Sequence, residues 1–169
     1  PAVLLGACAL LSFPFPSQAQ TYRRGPTPPP AAIGFGTALA LDGDRLVVGR
    51  PATVSGFPMP ASEGGAVHVF APAAGGEWTE EDVLRPDASA VGDAFGQALA
   101  VDGEWMAVGA PAADGARGAV HLFRRGGGGW TESVRLQPEG LGSGAGFGRA
   151  VALEGDVLVA SAPAGASPG

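Results

Sequence analysis

Three stretches of the chain lie over one another without a gap: FGTALALDGDRLVVGRP (35–51), FGQALAVDGEWMAVGAP (95–111) and FGRAVALEGDVLVASAP (147–163). Six of the 17 columns are identical in all three, and most of the others exchange like for like. A second block follows the first two copies. There GAVHVF (65–70) matches GAVHLF (118–123), and EWTEEDVLRP (77–86) matches GWTESVRLQP (129–138). The Phe-Gly starts are 60 and then 52 residues apart, and most of the difference is seven extra residues between Pro51 and Gly65. A unit that recurs at such a period cannot bury its apolar face alone, so the chain must fold as stacked or radial repeats.

Within one unit the strands read directly. Residues 95–101 and 104–110 are short apolar runs separated by Asp102-Gly103, a hairpin signal because both residues tolerate positive φ. Val120 to Arg124 and Thr131 to Leu136 form two further strands, joined by the glycines at 126–129. Four antiparallel strands per unit, with no 3.6-residue periodicity, describe an all-β propeller blade. The three copies make about two and a half blades, a partial β-propeller, the third stopping after its second strand at Pro163. Stacked blades bury both faces of each sheet, which accounts for alanine-rich strands such as ALAVDGEWMAVGA. The 29 Gly and 16 Pro would indicate disorder if scattered. Here they fall largely at matched positions, and 46% of the chain is hydrophobic.

Outside the repeats, residues 2–15 are an uncharged apolar run followed by Ser17-Gln18-Ala19, small residues at the −3 and −1 positions of a cleavage site. Residues 1–19 are therefore expected to be a secretory signal peptide without its charged n-region. The same run could instead be a buried strand or helix of the mature domain. Leu5-Gly6-Ala7-Cys8 also has the form of a lipobox, but the apolar run continues to Phe15. Residues 20–33, with four prolines and two arginines, read as an extended linker. Blades occupy 34–163, and 164–169 form a truncated C-terminal end.

The chemistry available is sparse. The net charge is −6 and all ten basic residues are Arg, without a basic block, so nucleic acid is excluded as a default partner. One Cys and two His leave little for thiol catalysis, a disulfide or a zinc site. His68 and His121 stand at the same place in the third strand, and Trp78 and Trp130 at the start of the fourth, so recurrence argues for packing. Glu80, Glu81, Asp82 and Glu132 read as the charged edge of an outer strand rather than a paired acid and base. No catalytic constellation emerges, and the expectation is a protein that is not an enzyme and carries no cofactor or metal.

The ordered FG, DG, GAP, GAV-x-x-F and W-T succession resembles the FG-GAP repeat family, best known from the β-propeller of integrin α subunits. The resemblance covers residues 35–163. It rests on Phe35-Gly36, Phe95-Gly96 and Phe147-Gly148, and on Gly109-Ala110-Pro111, which Gly49-Arg50-Pro51 and Ser161-Ala162-Pro163 each match with one departure. Its secreted bacterial branch is the nearest in character. A kelch propeller is the alternative, though kelch repeats do not require the FG and GAP anchors. Many blades of the family bind Ca²⁺ in the first hairpin, where the ion needs 6 to 8 oxygens. Here that loop is reduced to Asp42-Gly43-Asp44, Asp102-Gly103-Glu104 and Glu154-Gly155-Asp156, too short to wrap an ion. The resemblance places the loops between second and third strands on the ligand-binding face. The long one, 52–64, carries Phe57 and Met59 as candidate contacts. The implied function is a secreted or cell-surface module, with a periplasmic location also compatible, that binds a protein or glycan and has no membrane span. The alternative is an accessory propeller of a larger secreted enzyme. Further blades or an oligomer are expected to close the ring.

Overall fold

A computed structural model describes residues 9–11, 22–24, 34–51, 64–74, 77–86 and 91–165. It is nearly all β. Strands β1 (Ala9–Leu11) and β2 (Tyr22–Arg24) pair antiparallel near the N-terminus, within the segments read from sequence as signal and linker. The first blade is the sheet β3 (Ala38–Asp42), β4 (Arg45–Arg50), β5 (Ala66–Pro72) and β6 (Trp78–Leu84), in that spatial order. The second blade repeats it with β7 (Ala98–Asp102), β8 (Trp105–Ala110), β9 (Ala119–Gly126) and β10 (Gly129–Leu136). The third unit has β11 (Val151–Glu154) and β12 (Val157–Ala160), its first two strands. Two four-stranded antiparallel blades and a half blade make a partial β-propeller.

Registers coincide from unit to unit. Asp42 faces Arg45, Asp102 faces Trp105 and Glu154 faces Val157 across the same two-residue turn, whose glycines have φ of 54° to 58°. Each outer pair also carries one irregularity, at Val69/Phe70 in the first blade and Glu132/Val134 in the second. The first strands begin later than sequence suggests, at Ala98 rather than Phe95. The reason is that the Phe-Gly pair forms a turn of its own, closed by Gln97 N–H donating to the Ala94 carbonyl.

That turn locks one blade to the next. In each unit the FG glycine N–H donates to the carbonyl of the residue opening GAP: Gly36 to Gly49, Gly96 to Gly109, Gly148 to Ser161. The carbonyl of the same FG glycine lies against the preceding blade. A Cβ on Gly49 would stand 2.0 Å from the Gly96 oxygen, and one on Gly109 2.0 Å from the Gly148 oxygen. Glycine opens GAP because two backbones meet there.

The core sits between the first two blades. Val47, Val67 and Val69 of the first pack with Phe95, Met106, Val108 and Phe123 of the second, joined by half-buried Ala40, Leu99, Val101 and Trp130. Neighbours of Val47 in β4, Leu46 and Val48, point the other way and pack with Phe70, Phe35 and Trp78. Strands buried on alternate sides in this manner belong to stacked sheets. Phe95, fully buried, is worth about 2 to 3 kcal/mol of burial by itself.

Candidate functional site

The loop linking second to third strands is described in the second blade, and the third unit holds it in shape. Residues 112–118 bend through Asp114, Gly115 and Ala116, all in the left-handed region at φ of 51°, 68° and 62°. For Asp and Ala this conformation is disfavoured and persists only where surroundings impose it. Here they do. Gly115 O accepts from Ser143 Oγ at 2.6 Å, Ala116 O from Gly146 N–H at 2.9 Å, and Arg117 O from Phe147 N–H at 2.9 Å. Each of these donors lies in the segment entering the third unit.

At the loop tip the Asp114 carboxylate accepts from Arg135 Nη2 at 2.5 Å and from Gln137 Nε2 at 3.0 Å. Those two hydrogen bonds and the guanidinium charge hold its carboxyl below the ordinary carboxylate range. Gln137 Nε2 also donates to Gly118 O at 3.1 Å. Beside them opens a polar cleft of about 370 Å³ lined by Arg117, Gln137, Glu139, Gly140 and Leu141. The cleft offers a cation, a carboxylate and an amide on a fixed backbone, the equipment for hydrogen-bonding a hydroxylated or charged ligand. The sequence comparison of loop lengths gave no sign of it. The corresponding first-blade loop, with Phe57 and Met59, lies outside the described residues.

At the other end of the strands, the leading carboxylates of the first two hairpin turns are bonded across to the next unit. Asp42 Oδ2 accepts from Gly103 N–H at 2.8 Å, and Asp102 Oδ2 accepts from Gly155 N–H at 2.5 Å. The first carboxylate of each of the first two turns thus clamps the turn of the next unit. Among the described residues no group of three or more His, Cys, Asp or Glu is placed to hold a metal ion.

The repeated histidines lie inside. His121 is 2% exposed, its Nδ1 is 2.7 Å from Glu132 Oε1, and its ring stands edge-on to Phe95 at 5.3 Å. His68 repeats this more loosely, with Nδ1 at 3.4 Å from Glu80 and its ring 5.3 Å from Phe35. Burial lowers the His68 pKa, against the pull of Glu80 and with the help of Arg50 and Arg85. Glu80 and Glu132 are therefore partners of buried imidazoles rather than a plain charged edge. The FG phenylalanines cover the other side of those rings. Asp82, on the same outer strand, bonds its own chain neighbour Val83 N–H at 2.8 Å and reaches Trp130 N–H of the next blade at 3.4 Å.

The FG-GAP repeat model matches residues 78–123 and 130–169. Each match starts at a fourth-strand Trp and runs through the FG turn into the next unit, so the family's unit straddles the joint between blades. The first copy, 34–77, lies outside the match, but its strand registers repeat those of the matched copy. A search of curated proteins returned no match.

Proposed function

Because the chain belongs to the FG-GAP repeat family, we propose that it is a non-catalytic binding module working outside the cytoplasm, with its ligand met by the loops between second and third strands. The observation that carries this is the loop at 112–118. Its backbone is held in a disfavoured conformation by bonds from the next unit, and it presents Asp114 and Arg117 beside a polar cleft. Rigid loops on a β scaffold lose little entropy on binding, which is the economical way to recognise a surface. The ligand class is a glycan or a polar protein surface, since hydrogen-bonding groups line the cleft and, among the described residues, no nucleophile accompanies either histidine. No helix among the described residues is long and apolar enough to cross a membrane.

The test is binding of the full chain to a glycan array and to immobilised extracellular proteins, repeated with Asp114→Ala and Arg117→Ala. The reading expects ligands whose retention drops at least about tenfold in both variants. Equal binding by variant and parent moves the site off this face, and hydrolysis of a bound glycan overturns the non-catalytic reading.

A further inference from the structure

The turn-bearing end of the second blade departs from the repeat. GAVHVFAP (65–72) has Ala71 and Pro72 where GAVHLFRR (118–125) has Arg124 and Arg125. In the same region Arg45 gives way to Trp105, and the carboxylate of Glu81 to the hydroxyl of Ser133. In the first blade Arg45 lies 3.2 Å from Asp44 and 3.5 Å from Glu81, so two carboxylates surround one cation. The second blade reverses that balance. Residues that recur from copy to copy pack the blades, whereas exposed residues that change between copies are free of that duty.

The changed residues build a cleft of about 390 Å³, lined by Glu104, Arg124, Arg125, Gly126 and Thr131. All five belong to the second blade, so the cleft needs no neighbouring unit to form it. Its walls are fixed by two contacts. Arg125 N–H donates to the Glu104 carbonyl at 2.7 Å, tying the hairpin turn to β9. The Arg124 guanidinium stands 5.6 Å from the centre of the Trp105 ring, a cation–π contact that holds its planar fork in place. Glu104 Oε2 is 3.6 Å from Arg124 Nη2, but the two side chains are 67% and 62% exposed, and such a solvated pair yields readily to an incoming anion. On the side of the third unit, Trp105 also lines a groove of about 220 Å³ with Leu122, Leu158 and Asp156. The Trp105–Arg124 pair joins the two openings.

We propose that this end of the second blade binds an acidic glycan, a saccharide bearing carboxylate or sulfate groups. Arg124, with Arg125 beside it, takes the acidic group through charge-assisted hydrogen bonds. The Thr131 hydroxyl and the Glu104 carboxylate bond ring hydroxyls, and the indole of Trp105 meets the apolar face of a sugar. Glu104 and Asp156 accept from hydroxyls but oppose a polyphosphate backbone, and the net charge of −6 does the same at longer range. The site lies at the opposite end of the strands from the loop at 112–118 and does not rest on the role given to that loop.

Titration of the full chain with size-defined oligosaccharides of hyaluronan and of heparin decides it, followed by calorimetry and tryptophan fluorescence. The first ligand carries carboxylates alone and the second carries sulfates as well, so the pair also identifies the acidic group. Binding to at least one is expected, weakening as salt rises. Arg124→Ala weakens it at least about tenfold and Thr131→Ala about threefold, both at exposed positions where the fold survives the change. Trp105→Phe removes the fluorescence response, while Arg149→Ala, at an exposed arginine outside the cleft, leaves binding as it was. Neutral dextran and polyglutamate bind at least about tenfold more weakly than the better oligosaccharide. Failure to bind either oligosaccharide, equal binding of polyglutamate, or undiminished binding by the Arg124→Ala chain overturns the proposal.

Discussion

The middle blade and the outer units carry the same motif and have different fates. Val47 and Ala107 are fully buried, while Val159, at the same place in β12, is 61% exposed. Leu99 and Val101 pack in the core, while Leu39 and Leu41 are 49% and 58% exposed. Strand sequence makes each sheet apolar on both sides, but only a neighbouring blade turns that into burial. Stability in such a run resides in the joints as much as in the blades.

Substitutions at matched positions test this contrast. The largest difference is expected at the opening of GAP. Gly109→Ala places a Cβ in the Gly148 carbonyl and should cost about 3 kcal/mol in urea unfolding, while Ser161→Ala, at the third copy, should cost under about 0.5 kcal/mol. Equal costs would mean that the FG and GAP turns do not interlock. Next, Val47→Ala should lose about 2 kcal/mol by the same assay and Val159→Ala almost none, because only the first leaves a cavity.

A smaller effect separates the two histidine pairs. Glu132→Ala strands the Nδ1 of an imidazole that is 2% exposed and should cost about 1 to 3 kcal/mol, with Glu80→Ala costing less because its contact is longer, 3.4 Å against 2.7 Å. The smallest is a pH dependence. Burial holds the folded His68 pKa below the ordinary histidine value of 6.5, so between those two values the unfolded chain binds the proton and the folded chain does not. Its contribution is whole above pH 6.5 and is lost as pH falls through that window, and His68→Gln should flatten the slope. A stability that rises on acidification over the same window would contradict the assignment.

Much of this architecture was legible. The three copies gave the four-strand blade, the DG turns and the half blade, because local periodicity and turn chemistry recur in each unit. What was missed lies between units. Asp42 meets Gly103 and Asp102 meets Gly155 across 61 and 53 residues, so a turn read within its own blade looks like two solvated carboxylates. Glu80 and Glu132 looked like edge charges because the ladder that sets them beside His68 and His121 slips by one residue at each irregularity. The start of the first strand was misplaced for a related reason. Phe95 and Gly96 are apolar and strand-like in sequence, yet their conformation is dictated by the preceding blade, with Gly96 at φ of 90°. The cleft at Arg117 and Gln137 is assembled by loop segments that no single motif contains.

Amide hydrogen exchange tests the central claim most directly. If burial comes from neighbouring blades, the amides of Leu99–Val101, which pack against the first blade, exchange far more slowly than those of their repeat counterparts Leu39–Leu41, although each strand pairs on one side only. Equal protection of the two segments would show that each unit is stable by itself and that the joints contribute little.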